Sequence, residues 1–139
     1  MPLEQRIRVL LADANPAFVD AVARCLAFDR SLALVGRAAT AADTLRQVDQ
    51  LRPDLVLLDI RLRDMSGLEV ARQIKCRPNP PRVVVLAFNE GAEYHAAARA
   101  AGADGFVAKT EFFEQMHRLI HAWYVELGSP GRVPDGTGT

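Results

Sequence analysis

Short apolar runs alternate with longer amphipathic segments along most of the chain. The runs are five or six residues long and are bounded by turn-forming or charged residues. Several are continuously apolar instead of alternating with polar residues, which is typical of strands that are covered on both faces of a parallel sheet. The pattern predicts five strands, at 7–12, 32–36, 55–59, 83–88 and 105–109.

A 3.6-residue spacing of apolar positions follows each of these runs and predicts five helices. Asn15 and Pro16 suit the N-cap and the first turn of the first helix, and Gly102 suits the end of the fourth. The helices are predicted from Pro16, over 41–51, over 67–75, over 92–101 and from Thr110. The buried face of the last helix is predicted to hold Phe113, Met116, Ile120 and Trp123.

Five successive strand–helix units predict an α/β fold with helices on both faces of a parallel sheet. Right-handed crossovers favour a doubly wound, flavodoxin-like sheet of five strands in the order 2-1-3-4-5, with five helices. We expect one domain over residues 6–127. The segment 128–139 is rich in Gly and Pro and is expected to be a disordered C-terminal tail that holds no second domain.

The composition is that of an ordinary globular domain: 139 residues, of which 50% are hydrophobic, with a formal net charge of zero. The balanced charge gives no reason to expect nucleic acid or an anionic membrane as a partner. No apolar run approaches the length of a membrane span, and the first residues lack the apolar segment of a signal peptide. Cys25 and Cys76 are far apart, and we interpret them as buried reduced thiols of a cytoplasmic protein.

Charged residues stand where the predicted strands end. Asp13 follows the first strand, Asp59 ends the third and Lys109 ends the fifth, whereas the fourth strand brings Ala87 to the same edge. Each charge has an ordinary explanation, since Asp13 alone could be a turn or capping residue and Lys109 alone a solvated lysine. Because parallel strands place their carboxyl ends at one edge of the sheet, we expect the three to converge there.

The residue types at this edge limit the chemistry. The first strand is followed by no glycine-rich phosphate loop, and no strand end carries a Ser/His/Asp or Cys/His arrangement. The three histidines all fall on predicted helices. A carboxylate beside a lysine can accept a phosphoryl group as an acyl phosphate, usually with Mg²⁺ held by one or two carboxylates.

Four stretches of the sequence resemble the receiver domain of bacterial two-component response regulators. They are RVLLADANPAF, PDLVLLDIRLRDMSGLEVARQI, VVVLAF and AAGADGFVAKT, and the resemblance covers nearly the whole chain. The third-strand stretch is the most specific, because Met65 and Gly67 keep the spacing that the family has after its acceptor aspartate. The resemblance implies that Asp59 is the phosphoacceptor, that Lys109 contacts the phosphoryl group and that Phe106 is the aromatic switch residue.

Two departures from the family pattern affect that chemistry. Ala14 stands where the family has the acid that binds Mg²⁺ directly, and Ala87 stands where it has a phosphate-binding Ser or Thr. The remaining metal ligands would be Asp13, Asp59 and the backbone carbonyl of Arg61, so Mg²⁺ binding is expected to be weak or absent. The Arg61 side chain is either a fixed cation between the carboxylates or a solvated loop arginine.

The preferred hypothesis is a stand-alone, non-enzymatic receiver whose phosphorylation is impaired and which acts as a protein-interaction module. The alternatives are a fully phosphorylatable single-domain response regulator and, more remotely, a small-molecule-binding domain of the same fold. The expected partner is a histidine kinase, a downstream protein or a second copy, with no direct nucleic-acid contact and no membrane contact. The expected surface is formed by the fourth helix, fifth strand and fifth helix, with Tyr94, His95, Arg99, Phe106, Arg118 and His121 as candidates.

Overall fold

The computed structural model describes residues 6–88 and 91–128. Over these residues, strands and helices alternate as the apolar pattern predicts. In chain order the elements are β1 (Ile7–Ala12), α1 (Pro16–Ala27), β2 (Leu32–Ala38), α2 (Ala41–Leu51), β3 (Leu55–Asp59), α3 (Gly67–Lys75), β4 (Arg82–Ala87), α4 (Ala92–Ala100), β5 (Gly105–Ala108) and α5 (Phe112–Gly128), with a 3₁₀ turn at Lys109–Glu111 before α5. None of the described helices is long and apolar enough to span a bilayer.

The strands form one sheet in the order β2-β1-β3-β4-β5, and all four neighbouring pairs are parallel. The predicted doubly wound topology is therefore confirmed. Its central strands are buried on both faces: every residue from Leu55 to Leu58 is at most 1% exposed. This double coverage explains why the strands are continuous apolar runs.

The core lies in two layers, one on each face of the sheet. On one face, Leu11 and Leu57 pack with α1 and with the start of α5. On the other face, Leu10 and Val56 pack with α2 and α3, and Val85 packs with α4. Successive residues of a strand point to opposite faces, so each apolar run contributes to both layers.

The sequence signals for helix ends are confirmed at α1 and α4. The Asn15 side chain accepts a hydrogen bond from the Phe18 amide at 3.2 Å, and Pro16 occupies the first turn. The cap of α4 is Ala101, and Gly102 follows it with φ of +93°, the left-handed conformation that glycine adopts most readily.

Several boundaries differ from the prediction by one or two residues. β2 extends two residues further, to Ala38, and β4 ends at Ala87, which leaves Phe88 outside the strand and 61% exposed. The predicted start of the last helix at Thr110 is wrong because the chain first makes a 3₁₀ turn, and α5 begins at Phe112.

The turn before α5 also changes which aromatic residue is buried. Phe112, not Phe113, enters the core, where its ring meets the Phe18 ring edge-on at 5.5 Å. Phe113 is 53% exposed, so its predicted burial is wrong. Met116 is buried and Trp123 packs against the same cluster, so the rest of the predicted face is confirmed from Met116 onward.

The two cysteines are less buried than predicted. Cys25 is half-buried on α1, and Cys76 is exposed because it follows the last turn of α3, beyond the face that packs on the sheet. The segment expected to be a tail begins at Gly128, which belongs to α5, and its residues 129–139 lie outside the described part of the chain.

Candidate functional site

Sheet register brings the two predicted acids together. Ala12 of β1 pairs with Leu58 of β3, so the next residues, Asp13 and Asp59, lie side by side at the edge of the sheet. Asp13 is fixed by its own backbone, because its amide donates to the carbonyl of the last β2 residue at 2.9 Å. One of its carboxylate oxygens, Oδ1, accepts a hydrogen bond from the Asn15 amide at 2.8 Å, so the turn into α1 also orients this side chain.

Lys109 reaches both acids from the end of β5. Its Nζ lies 2.5 Å from Asp13 Oδ2, as a close ion pair instead of a well-directed hydrogen bond, and 3.1 Å from Asp59 Oδ2. The side chains of Lys109, Asp13 and Asp59 are 3%, 0% and 14% exposed. The three predicted charges therefore meet at one edge, and Asp59 is the member that opens to solvent.

Two aromatic rings flank the lysine, a feature that the sequence did not reveal. The Lys109 ammonium lies 4.6 Å from the centre of the Phe18 ring and 5.0 Å from that of Phe88. Both distances are within the range of cation–π attraction. The apolar pattern places Phe88 at the end of the fourth predicted strand, and no sequence pattern indicates which group its ring would meet.

The environment raises the pKa of Asp59 above its ordinary value. Burial is the main cause, and the neighbouring Asp13 carboxylate adds to it, whereas the Arg61 amide and Lys109 act in the opposite direction. Two carboxylates and one ammonium give the cluster a formal charge of −1. The fold therefore holds Asp59 in a position where its ionised form is less favourable than in water.

The loop after β3 is ordered by backbone contacts close to Asp59. The Arg61 amide donates to Asp59 Oδ1 at 3.2 Å, and Arg61 forms an isolated antiparallel bridge with Ser66. The Gly67 amide donates to the carbonyl of Ile60 at 2.8 Å and closes the loop. The Arg61 side chain is exposed, so Lys109 and not Arg61 is the cation that lies between the two acids.

A second acid, Asp64, ties this loop to α2. Its carboxylate accepts hydrogen bonds from the amides of Ala41 at 2.6 Å and Ala42 at 3.1 Å, two donors that α2 itself cannot satisfy. The pKa of Asp64 is lowered, mainly by the hydrogen bond from the Ala41 amide and further by that from Ala42. The loop that follows the phosphoacceptor candidate is thus fixed to the neighbouring helix.

The two alanine positions lie where the sequence places them. Ala14 follows Asp13 and is half-buried, and Ala87 lies at the end of β4, paired with the last residue of β5. Ala87 lines an open cavity of about 270 Å³ above Asp59. The remaining lining residues are Ile60, Arg61, Phe88, Tyr94 and Lys109.

The carboxylates at this edge are the candidate ligands for Mg²⁺. The ion prefers six oxygen ligands in octahedral geometry. Among the described side chains, the carboxylates of Asp13 and Asp59 lie at this edge, and both are in contact with the Lys109 ammonium. Over residues 6–88 and 91–128, no group of three or more His, Cys, Asp or Glu side chains is arranged to hold a metal ion.

The aromatic residue of β5 lies to one side of the acids. Phe106 is half-buried and stacks on His95 of α4, with ring centres 4.1 Å apart and planes tilted by 35°. Tyr94, the neighbour of His95 on α4, lines the cavity above Asp59. The fourth helix therefore contacts both the acid pocket and the switch-residue candidate.

The strand order 2-1-3-4-5 thus brings an acid after β1, an acid at the end of β3 and a lysine after β5 to one edge of the sheet. The family model of the response regulator receiver domain matches residues 9–121. The chain belongs to this family, the signalling module of two-component systems. Receiver domains are in general non-enzymatic and typically bind Mg²⁺ at their acidic pocket.

Two curated proteins illustrate the similarity. Response regulator GacA of Pseudomonas aeruginosa is 31% identical over 114 residues, which are 82% of this chain and 53% of that protein. A protein-glutamate methylesterase/protein-glutamine glutaminase of Koribacter versatilis is 35% identical over 106 residues, or 76% of this chain and 29% of that protein. The chain thus spans about half or less of the length of these relatives.

Solved structures give the same assignment. The signal receiver domain of NarL from Mycobacterium tuberculosis superposes with a TM-score of 0.73 at 29% identity, covering 82% of this chain and 95% of that one. The response regulator domain of Thermotoga maritima CheB has a TM-score of 0.72 at 22% identity, which supports the fold.

Proposed function

We propose that this receiver domain acts as a protein-interaction module of two-component signalling whose phosphorylation at Asp59 is impaired. The observation that carries the proposal is the composition of the pocket: two carboxylates bridged by Lys109, with alanine at positions 14 and 87. Asp59 keeps the position of an acceptor, but the groups that would serve the transfer are incomplete.

Weak Mg²⁺ binding is the first part of the impairment. A metal ion would have to compete with the Lys109 ammonium for both carboxylates, and Ala14 supplies no third acid to attract it. Phosphoryl transfer relies on cations that neutralise the charge of the transferred group. With Lys109 as the internal cation and no acid at position 14, the reaction should be slow.

Weak coupling to the rest of the domain is the second part. A phosphorylated Asp59 would face Ala87 across the cavity, and a methyl group cannot donate a hydrogen bond to a phosphoryl oxygen. The added negative charge would then have little effect on the conformation of the β4–α4 connection. Partner binding is accordingly expected to depend little on phosphorylation.

A second candidate function is that of a fully phosphorylatable receiver. The observation that favours it is the accessibility of Asp59, whose side chain is 14% exposed and lines the open cavity. A small phosphodonor could reach this carboxylate. The two candidates therefore differ in rate and stoichiometry, which can be measured directly.

The test is incubation of the full chain with acetyl phosphate and Mg²⁺, followed by intact-mass measurement. We expect little adduct in the wild type and a much larger, hydroxylamine-labile adduct in Ala14→Asp, which restores the missing acid. Asp59→Asn should abolish the adduct in both backgrounds. A stoichiometric, acid-stable adduct in the wild type that is lost in Asp59→Asn would contradict impaired phosphorylation. It would support the second candidate function, a fully phosphorylatable receiver.

A matched variant separates the role of position 14 from a general charge effect. Ala17→Asp places the same charge in the first turn of α1, at an exposed position outside the pocket. This variant should behave as the wild type does. Equal labelling of Ala14→Asp and Ala17→Asp would show that the added charge, and not a restored ligand, is responsible.

The partner surface is proposed to be the face formed by α4, β5 and α5, and the partner to be a histidine kinase, a downstream protein or a second copy in the cytoplasm. Arg99 and Arg118 are exposed on this face, and Tyr94 of α4 lines the cavity above Asp59. Sedimentation in the presence of a chelator tests the second-copy option. A self-association that is unaffected by the double variant Arg99→Glu/Arg118→Glu would rule this face out.

A further inference from the structure

Two histidines lie on the outer face of α5, away from the acid pocket. His117 and His121 are four residues apart, both are exposed, and their rings are nearly parallel, with planes 21° apart and centres separated by 6.4 Å. Residues at this spacing share one face of a helix. Neither side chain is used by the phosphoacceptor site, so the pair is available for a separate role.

A histidine pair of this spacing is a bidentate ligand for a divalent transition-metal ion. Imidazole nitrogens bind Zn²⁺ at about 2.0–2.1 Å, and two histidines one helical turn apart can share one ion. Such a complex holds the ring centres roughly 5 Å apart. Rotation of the exposed side chains is enough to close the observed separation of 6.4 Å between His117 and His121.

One chain supplies only half of a tetrahedral site. In the described part of the chain, no third His, Cys, Asp or Glu side chain is placed to complete a metal site. Glu114, one turn before His117, is held by Arg118 at 3.1 Å, and this ion pair also offsets the arginine charge beside the histidines. Two further ligands must therefore come from outside the described part of the chain, since structural zinc is almost always four-coordinate.

A second copy of the same chain fits this requirement. A two-fold interface brings the same residues from each copy to the axis, so two histidine pairs supply four nitrogens. Phe113 lies one turn before His117 on the same stripe and is 53% exposed, an apolar surface that the second copy would cover. The formal net charge of zero gives no overall repulsion between copies.

We propose that His117 and His121 form half of a Zn²⁺ site that is completed by the same pair of a second copy. The ion then links two receivers through their α5 helices, independently of Asp59. Because the ligands are neutral imidazoles, the site also suits Co²⁺, Ni²⁺ and Cu²⁺, whereas Mg²⁺ prefers oxygen ligands and should not bind there.

The test is titration of the reduced full chain with ZnCl₂, followed by calorimetry and by sedimentation. We expect saturation at one ion per two chains, a doubling of the sedimenting mass and reversal of both by a chelator. Co²⁺ serves as a spectroscopic probe, because tetrahedral Co²⁺ absorbs visible light much more strongly than octahedral Co²⁺. Absence of binding, or binding of one ion per chain with no dimer, would overturn the proposal.

Variants assign the ligands. His117→Asn and His121→Asn change exposed residues, and each should abolish both Zn²⁺ binding and the dimer. Cys76→Ser is the matched control, because it removes an exposed thiol that follows α3 and lies outside α5. This control should bind as the wild type does. Loss of binding in Cys76→Ser, or retention of binding in either α5 variant, would refute the assignment.

Discussion

The ammonium of Lys109 lies 2.5 Å from the Asp13 carboxylate, and both side chains are almost completely buried. This pair joins the end of β5 to the end of β1, two strands separated in the sheet by β3 and β4. Both charges are removed from water, and burying a charge is costly unless an opposite charge lies beside it. The pair is therefore a structural link across the sheet edge as well as part of the acid pocket.

Lys109→Met should destabilise the protein because it leaves the Asp13 carboxylate buried without its cation. Removing one partner of a buried ion pair costs about 3–5 kcal/mol, and urea unfolding at neutral pH measures the loss. Arg118→Met removes one partner of an exposed pair and should cost no more than about 1 kcal/mol. Equal losses in the two variants would mean that the buried pair adds no special stability.

Adding Asp13→Asn to the first variant refines this test. The second substitution removes the carboxylate that Lys109→Met strands, so the double variant should be more stable than the sum of the two single losses predicts. A double-mutant cycle gives this interaction free energy directly. Simple additivity would contradict a direct interaction between Lys109 and Asp13.

Asp59 should make stability fall as the pH rises. Because its pKa is raised in the folded state, the folded protein binds the proton more tightly than the unfolded chain does. The stability that Asp59 contributes is present below the ordinary carboxyl pKa of 3.8 and is lost as the pH rises through the raised pKa. Asp59→Asn, which mimics the protonated form, should therefore exceed the wild type in unfolding free energy near neutral pH.

The difference between Asp59→Asn and the wild type should shrink toward acid pH. Urea unfolding from about pH 4 to about pH 8 measures it. Asp20→Asn is a suitable control, because Asp20 is exposed on α1 and its pair with Arg37 is loose, at 3.6 Å. A stability gap for Asp59→Asn that does not change with pH would show that the raised pKa is not its origin.

Asp64 should give protein stability the opposite pH dependence. The Ala41 hydrogen bond, and further that of Ala42, lowers the pKa of Asp64 in the folded protein. The stability that Asp64 contributes is therefore present above the ordinary carboxyl pKa of 3.8 and is lost as the pH falls through the lowered pKa. Asp64→Asn should reduce stability near neutral pH and less so in acid. Hydrogen exchange of the Ala41 and Ala42 amides is the local measurement, since both should exchange faster in the variant.

Thr40→Ala provides a reference for the Asp64 variant at the same end of α2. The Thr40 hydroxyl oxygen accepts a hydrogen bond from the Asp43 amide at 3.1 Å, and loss of such a cap costs about 1 kcal/mol. This loss should not depend on pH, because the hydroxyl does not titrate. If Asp64→Asn shows the same flat pH profile, the carboxylate charge plays no part in holding the loop to α2.

The sequence was sufficient to predict the convergence of charges because burial on both faces restricts the sheet. A continuous apolar run such as 55–58 is typical of an interior strand, and the acid that ends it then lies at the edge of the sheet. The positions of Asp13, Asp59 and Lys109 follow from this constraint and from the usual strand order. Their roles in phosphoryl chemistry stay predictions until the labelling experiment is done.

The features that sequence reasoning missed depend on contacts between distant segments. Asp64 caps a helix that begins 23 residues earlier in the chain, and no local pattern connects the two. Phe112 replaces Phe113 in the core because a 3₁₀ turn shifts the start of the helix, and short 3₁₀ turns have no strong sequence signal. The contact between Phe88 and Lys109 joins two strand ends in the same way.

Close backbone packing explains why α3 begins with a glycine, Gly67, two residues after Met65. A Cβ built on Gly67 would collide with the carbonyl oxygen of Asp59 and lie 2.9 Å from the Cα of Ile60. These are backbone atoms, which cannot rotate away as a flexible side chain can. Glycine is therefore required by the close approach of α3 to the residue that carries the acceptor carboxylate, not by an unusual φ angle.

Gly67→Ala should therefore destabilise the fold and move Asp59. Overpacking of this kind costs about 1–3 kcal/mol in urea unfolding, and the Asp59 amide should show a large chemical-shift change by NMR. Gly91→Ala is the matched control at the first residue before α4, where the nearest atoms to an added Cβ are 3.5 Å away or more and belong to side chains. It should change stability by no more than about 0.5 kcal/mol. Equal effects of the two substitutions would refute the close-approach explanation, because only at Gly67 does the added methyl group meet backbone.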